Sequence, residues 1–223
     1  MRELADPRRA KTSQWFFKTG PGDYGEGDRF LGVTVPQLRQ VACEFRSASP
    51  AQLEKLLHSP WHEDRLLALL IATEQYARAD SRERAALFRF YLDNLESVNN
   101  WDLVDLSAPQ IVGAHLRKKS RSLLKKLARS KSIWERRIAI VSTLHFIRFG
   151  EIAETFRIAK LLLHDEHDLI HKASGWMLRE AGKRDRAALE KFLDDHLTSM
   201  PRTMLRYAIE RFPERLRRRY LKG

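Results

Sequence analysis

One cysteine, Cys43, stands alone in 223 residues, so neither an internal disulfide framework nor a thiolate zinc site is available. A reduced cytoplasm is the compartment this predicts. Long apolar runs are also missing. The longest extends from Leu66 to Ala72, far short of a bilayer-spanning helix. The opening residues, MRELADPRRAKTSQ, lack the apolar centre of a signal peptide. Helix breakers are few, with 8 prolines and 10 glycines, and Gly20, Gly22, Gly25, Gly27 and Gly32 crowd into one stretch. That stretch, 19–34, reads as a loop and the remainder as unusually free of interruptions. Acidic residues are outnumbered: 29 Asp and Glu face 41 Lys and Arg, a formal charge of +12 with a pI near 10.1. Such an excess repels itself and persists where a polyanion binds it. Nucleic acid is the expected partner, ahead of an anionic membrane surface.

What is present is helix after helix. Apolar residues recur at three- and four-residue spacing in Leu66, Leu69, Leu70 and Thr73, and again in Ile138, Val141, Ser142 and His145. Ser59, Asn100, Ser132 and Asp168 stand where caps are expected. No stretch alternates convincingly, so the predicted class is all-α.

The helices repeat. Segments starting at Arg65, Arg137, Lys172 and Arg206 superimpose at steps of 72, 35 and 34 residues, and Asp105 fills the double step. A period of about 35 to 40 with two helices per unit belongs to helical solenoids. The predicted architecture is therefore a curved, HEAT-like superhelix of the ARM/HEAT type, one domain over 1–223. Four of the five units begin with a base, and stacking would align Arg65, Arg137, Lys172 and Arg206 along one surface. Regular cations suit a sugar–phosphate backbone. The fifth unit offers a carboxylate instead.

That carboxylate lies in Asn99-Asn-Trp-Asp-Leu-Val-Asp105. Asp102 and Asp105 are three apart and share a helix face. Asp102 reads as a helix cap near the positive end of the dipole. Asp105 has two readings. One is an ion pair with an arginine of the stripe; the other is stabilisation of positive charge developing on a substrate in a cationic groove. In glycosidic cleavage that charge is an oxocarbenium-like sugar. Trp101, Trp134 and Trp176 recur in three units. Trp134 reads as core, whereas Trp101 and Trp176 are equally core residues or cation–π partners of a charged base. The window from Leu106 to Trp134 holds Arg117, Lys118, Lys119, Arg121, Lys125, Lys126, Arg129 and Lys131 without a single Asp or Glu. It reads as peripheral phosphate contact, to which Arg215, Arg217, Arg218, Arg219 and Lys222 add non-specific affinity.

Two patterns are set aside. Gly20-Pro-Gly22-Asp-Tyr-Gly25 matches a dinucleotide fingerprint, but no strand precedes it. His164, His167 and His171 share helical spacing, yet Asp165-Glu166-His167-Asp168 reads as an exposed turn and not a metal face.

Residues 16–36, FFKTGPGDYGEGDRFLGVTVP, together with Asn100–Asp105, Ile133–Arg137 and Lys172–Glu180, resemble the signatures of AlkD-type DNA alkylation repair proteins. The matches run in order over nearly the whole chain. The resemblance implies HEAT-like glycosylases that excise N3- and N7-alkylated purines from duplex DNA without flipping the base into a pocket. On it, Asp105 is the catalytic aspartate and Trp101 and Trp176 contact the deoxyribose of the lesion. Arg137 faces the DNA backbone, and Arg179 joins Arg65, Lys172 and Arg206 as a further contact. Phe16 stands where the best-known member has a tyrosine, so a hydroxyl contact is missing there. A monomer without cofactor, working on DNA in the cytoplasm, is expected. Two rivals share the fold: a non-catalytic protein that binds damaged, bent or branched DNA, and a protein-binding scaffold.

Overall fold

A computed structural model describes residues 1–222. Its regular structure is helical, and the only extended pairing among the described residues is an isolated bridge between Arg29 and Trp61. No helix there is long and apolar enough to cross a membrane. The chain packs as two compact units, residues 1–111 and residues from 112 onward.

In the first unit α1 (Pro7–Phe16) leads into the glycine-rich segment. Then follow α2 (Val35–Glu44), α3 (Pro50–Leu57), α4 (His62–Arg78), α5 (Ser81–Asp93) and α6 (Trp101–Ala108). The run Leu66–Ala72 is buried at every position. A helix apolar on all sides needs neighbours on all sides, and α4 is contacted by α2, α3, α5 and α6. Local chemistry sets the starts of its neighbours. Thr34 with Gln37, Ser49 with Gln52 and Asp80 with Glu83 form reciprocal capping boxes at α2, α3 and α5. A π-helical turn, Pro109–Gly113, carries the chain onward.

The second unit contains α7 (Ala114–Leu116), α8 (Ser122–Leu127), α9 (Ile133–Val141), α10 (Thr143–Arg148) and α11 (Ala153–Leu161). It continues with α12 (Asp168–Gly182), α13 (Arg186–His196), α14 (Arg202–Ala208) and α15 (Glu214–Lys222). Helix α12 is its centre, packed on α9, α13 and, most extensively, α14. Gly175 makes that last contact possible. A Cβ there would lie 2.4 Å from the Met204 carbonyl oxygen, closer than any side chain permits.

The repeat has a structural counterpart. Arg65, Asp105, Arg137, Lys172 and Arg206 each occupy the fourth or fifth residue of their helices, α4, α6, α9, α12 and α14. Two caps differ from expectation by a residue or two. Trp61 is the N-cap of α4, while Ser59 Oγ accepts the Trp61 N–H at 3.2 Å and donates to Asp64 at 2.8 Å. His167 is the N-cap of α12, its Nδ1 accepting the Leu169 N–H at 3.1 Å. Asp168 becomes the first helical residue, where the dipole still favours it.

Candidate functional site

The site is built outward from the start of α4. Glu63 is 3% exposed and its carboxylate accepts backbone N–H groups of the glycine-rich segment: Leu31 at 2.8 Å, Gly32 at 2.7 Å and Val33 at 3.3 Å. One buried acid thereby satisfies three successive donors that lack a helix or sheet to pair with. The His62 backbone N–H donates to the Arg29 carbonyl at 2.8 Å. Gly25 presses on Phe17, so a Cβ at 25 would sit 2.5 Å from the Phe17 carbonyl oxygen. This tight approach rules out any larger residue, which explains Gly25 without dinucleotide binding.

Beside this segment lies a buried charge network. Asp28 accepts from His62 Nδ1 at 3.1 Å, from Asn100 Nδ2 at 2.9 Å and from the Arg65 guanidinium. His62 Nε2 bonds Asp102 at 2.8 Å. Asp102 also accepts the Leu103 N–H at 2.9 Å. Both ring nitrogens of His62 thus face carboxylate oxygens, which only accept, so both must carry protons. Burial opposes that charge, but Asp102 and Asp28 outweigh it and raise the His62 pKa to about 9. For Asp28, burial works the other way and is overcome by the His62 hydrogen bond, the Arg65 charge and Asn100, which hold its carboxyl below the usual range.

Aromatic rings join the same cluster to α6. Phe30 stacks on His62 with centroids 4.6 Å apart, Phe17 stacks on Phe30 at 4.9 Å, and Trp101 stacks on Phe17 at 5.1 Å. Phe16 meets Trp101 edge-on at 5.9 Å. Offset stacks of this kind hold ring planes as well as bury area. Asn100 caps α6 by accepting the Trp101 N–H at 2.8 Å.

The two carboxylates of α6 therefore part company. Asp102 is 6% exposed and committed to His62. Asp105 is half-buried, one turn beyond the half-buried Trp101 on the same helix face. Tyr91 lies within the field of Asp105: burial pushes the Tyr91 hydroxyl up, and the Asp105 charge pushes it further. That hydroxyl pairs with Ser107 Oγ at 3.1 Å.

The expected basic stripe needs correction at two positions. Arg65 and Arg137 are each 5% exposed. Arg65 turns inward, its two Nη atoms donating to the Ser59 carbonyl at 3.2 Å and to Asp28. Arg137 donates to the Leu169 carbonyl at 2.6 Å and ties α9 to the first turn of α12. The other two, Lys172 and Arg206, keep access to solvent, as does Arg179. Lys172 is half-buried and pairs with Asp168 at 2.7 Å, Arg179 is half-buried and bonds Glu210, and Arg206 is exposed. Trp176 and Trp134 are half-buried.

The acid-free window is also less uniform than it reads. Arg117 and Arg121 both bond Glu151, a counter-charge from beyond the window, and lie over Phe149 and Phe146 at 3.5 and 4.1 Å. Lys118, Lys119, Lys125, Lys126, Arg129 and Lys131 remain exposed. Near the end of the chain Arg217 and Arg218 pair with Glu214, while Arg215 and Lys222 are exposed. The histidines once considered as a trio do separate work: His167 caps, His171 Nε2 bonds the Asp165 carbonyl, and His164 is exposed.

Sequence reasoning missed Asp28, His62 and Glu63. The one available signal was a His–Glu pair just ahead of the run Leu66–Ala72, where ionisable groups are drawn towards a core and require partners.

No curated protein sequence matches this chain. A solved structure described as a predicted DNA alkylation repair enzyme from Enterococcus faecalis is similar in fold, with a TM-score of 0.71 and 16% identity, covering 95% of this chain and 98% of that one. The profile of the DNA alkylation repair enzyme family matches residues 1–212. The chain belongs to that family.

Proposed function

We propose that the protein is a monofunctional DNA glycosylase that excises N3- and N7-alkylated purines from duplex DNA. One observation carries the reading: Asp105 lies half-buried one turn beyond the half-buried Trp101 on the same face of α6, where the resemblance expects the catalytic carboxylate. Alkylation makes the purine cationic, so it departs as a neutral base without a strong acid to protonate it. The demand left to the protein is stabilisation of the oxocarbenium-like sugar, and a fixed carboxylate meets it electrostatically. Trp101 and Trp176 contact the deoxyribose of the lesion, and no base-flipping pocket is required, in contrast to most glycosylases. Lys172, Arg179 and Arg206 contact the phosphates, with the exposed lysines of the 118–131 stretch as outlying contacts. Arg65 leaves this set because of its burial, and Arg137 acts through α12. The protein works as a monomer without a cofactor, in the cytoplasm and on nucleoid DNA.

Release of methylated bases from alkylated duplex DNA tests the reading. Asp105→Asn lowers excision about 10- to 1000-fold with DNA affinity nearly intact. Unchanged release in Asp105→Asn removes the carboxylate from the chemistry. Absence of release by the wild type favours a protein that binds damaged or branched DNA without acting on it.

A further inference from the structure

The glycine-rich segment has no part in the reaction described above, yet Glu63, His62, Arg65 and Asn100 all reach into it with hydrogen bonds. We propose that His62 is a positioning residue for base excision: as an imidazolium bridging Asp28 of the glycine-rich segment and Asp102 of α6, it sets the first turn of α6 and with it Trp101 and Asp105. The inference rests on the reading of Asp105 given above.

Charge balance supports the bridge. His62 and Arg65 supply two positive charges and Asp28 and Asp102 two negative ones, all within hydrogen-bonding distance of one another in sequence Arg65, Asp28, His62, Asp102. The other two acids in the first turn of α4 are engaged elsewhere, Glu63 by three backbone N–H groups and Asp64 by the Ser59 hydroxyl. The set is neutral only while His62 is protonated. A neutral ring would turn a lone pair towards one carboxylate at about 3 Å and leave an uncompensated negative charge in the interior, which is costly.

Geometry then transmits the bridge to α6. Asp102 holds the backbone of α6 through the Leu103 N–H while its other oxygen holds His62. Rotation or slippage of the first turn would break one of those bonds. Trp101 is the residue before Asp102 and Asp105 is three residues after, so both are placed when that turn is placed. The ring series His62, Phe30, Phe17, Trp101 makes a second connection between the same end points. Asp28, Phe17 and Phe30 all belong to the glycine-rich segment or its edge, which assigns that segment a purpose: it is the buttress against which α6 is set. A displacement of about 1 Å at a reacting group costs on the order of 100-fold in rate, which makes such a buttress consequential.

The test has an arm in the wild-type protein and an arm in variants. Nitrogen-15 NMR of the unaltered protein should find both His62 ring nitrogens protonated at neutral pH, with titration near 9. A ring that titrates near the ordinary histidine value overturns the bridge. His62→Gln and Asp28→Asn should lower the single-turnover rate at saturating protein about 10- to 100-fold, with the dissociation constant for unmodified duplex within about threefold. Added imidazole should restore part of the rate in His62→Ala, an effect general destabilisation does not produce. The fluorescence of Trp101, isolated by comparison with Trp101→Phe, should shift in both bridge variants. Unchanged rates in folded His62→Gln and Asp28→Asn refute the positioning role while leaving Asp105 in place. If Asp105→Asn excises normally, the reaction assignment fails, and ring protonation with Trp101 fluorescence still decides whether His62 sets α6. Should His62→Gln fail to fold, the NMR titration and Asp28→Asn carry the decision.

Discussion

The two units divide the charge of the protein unequally. Residues 1–111 hold 14 Lys and Arg against 16 Asp and Glu, a formal charge of −2, whereas residues from 112 onward hold 27 against 13, a charge of +14. The entire excess of positive charge lies in the second unit. Interiors differ in the opposite sense. His62, Glu63, Arg65 and Asp102 are buried in the first unit, and only Arg137 and Glu154 among charged residues are buried in the second. The surplus of cations and the buried network of ionisable groups thus lie in different parts of the chain.

Removing charge from the second unit should break this contrast most visibly. Alanine at Lys118, Lys119, Lys125 and Lys126 together should weaken binding of plain duplex about 10- to 100-fold near physiological salt. The slope of log affinity against log salt should flatten by about 2 to 4, read by fluorescence anisotropy. Alanine at Arg8, Lys11 and Lys18 of the first unit should change affinity less than about threefold. Equal losses from the two sets would erase the division of labour.

A smaller effect tests packing in the second unit. Gly175→Ala forces a methyl group against the Met204 carbonyl and should destabilise the protein by about 1–3 kcal/mol in urea unfolding. An unmoved midpoint would show that α12 and α14 tolerate separation there.

Alkaline pH sharpens the comparison from the first unit. The folded pKa of His62 is raised, so its stabilisation is complete below about 6.5 and is lost as pH climbs through about 9. Stability should therefore decline between about pH 6.5 and 9, and His62→Gln should abolish most of that decline. A wild-type profile flat over this range contradicts a charged His62. The smallest change is expected at the surface: Lys191→Ala removes an exposed pair with Asp195 and should alter stability by less than about 0.5 kcal/mol.

Much of the fold was legible beforehand. Scarce breakers and three- and four-residue apolar spacing specified helices, and the recurrence of Arg65, Asp105, Arg137, Lys172 and Arg206 located equivalent positions on five of them. The candidate site was only partly legible. Asp105 stood out because a carboxylate interrupted a series of bases, and Trp101 because tryptophans recur in three units, but the burial of Arg65 and Arg137 was hidden. Their spacing is that of a surface stripe, and nothing local distinguishes an arginine facing phosphate from one facing Asp28, 37 residues away.

Periodicity and capping are contacts between residues a few positions apart, so the chain alone determined that it is helical, repetitive and basic. Which charges are spent inside the protein and which remain for a ligand depends on partners distant in sequence and on burial, because a charge leaves water only where an opposite one meets it. That pairing, of Asp28 with His62 and His62 with Asp102, was decided by tertiary structure.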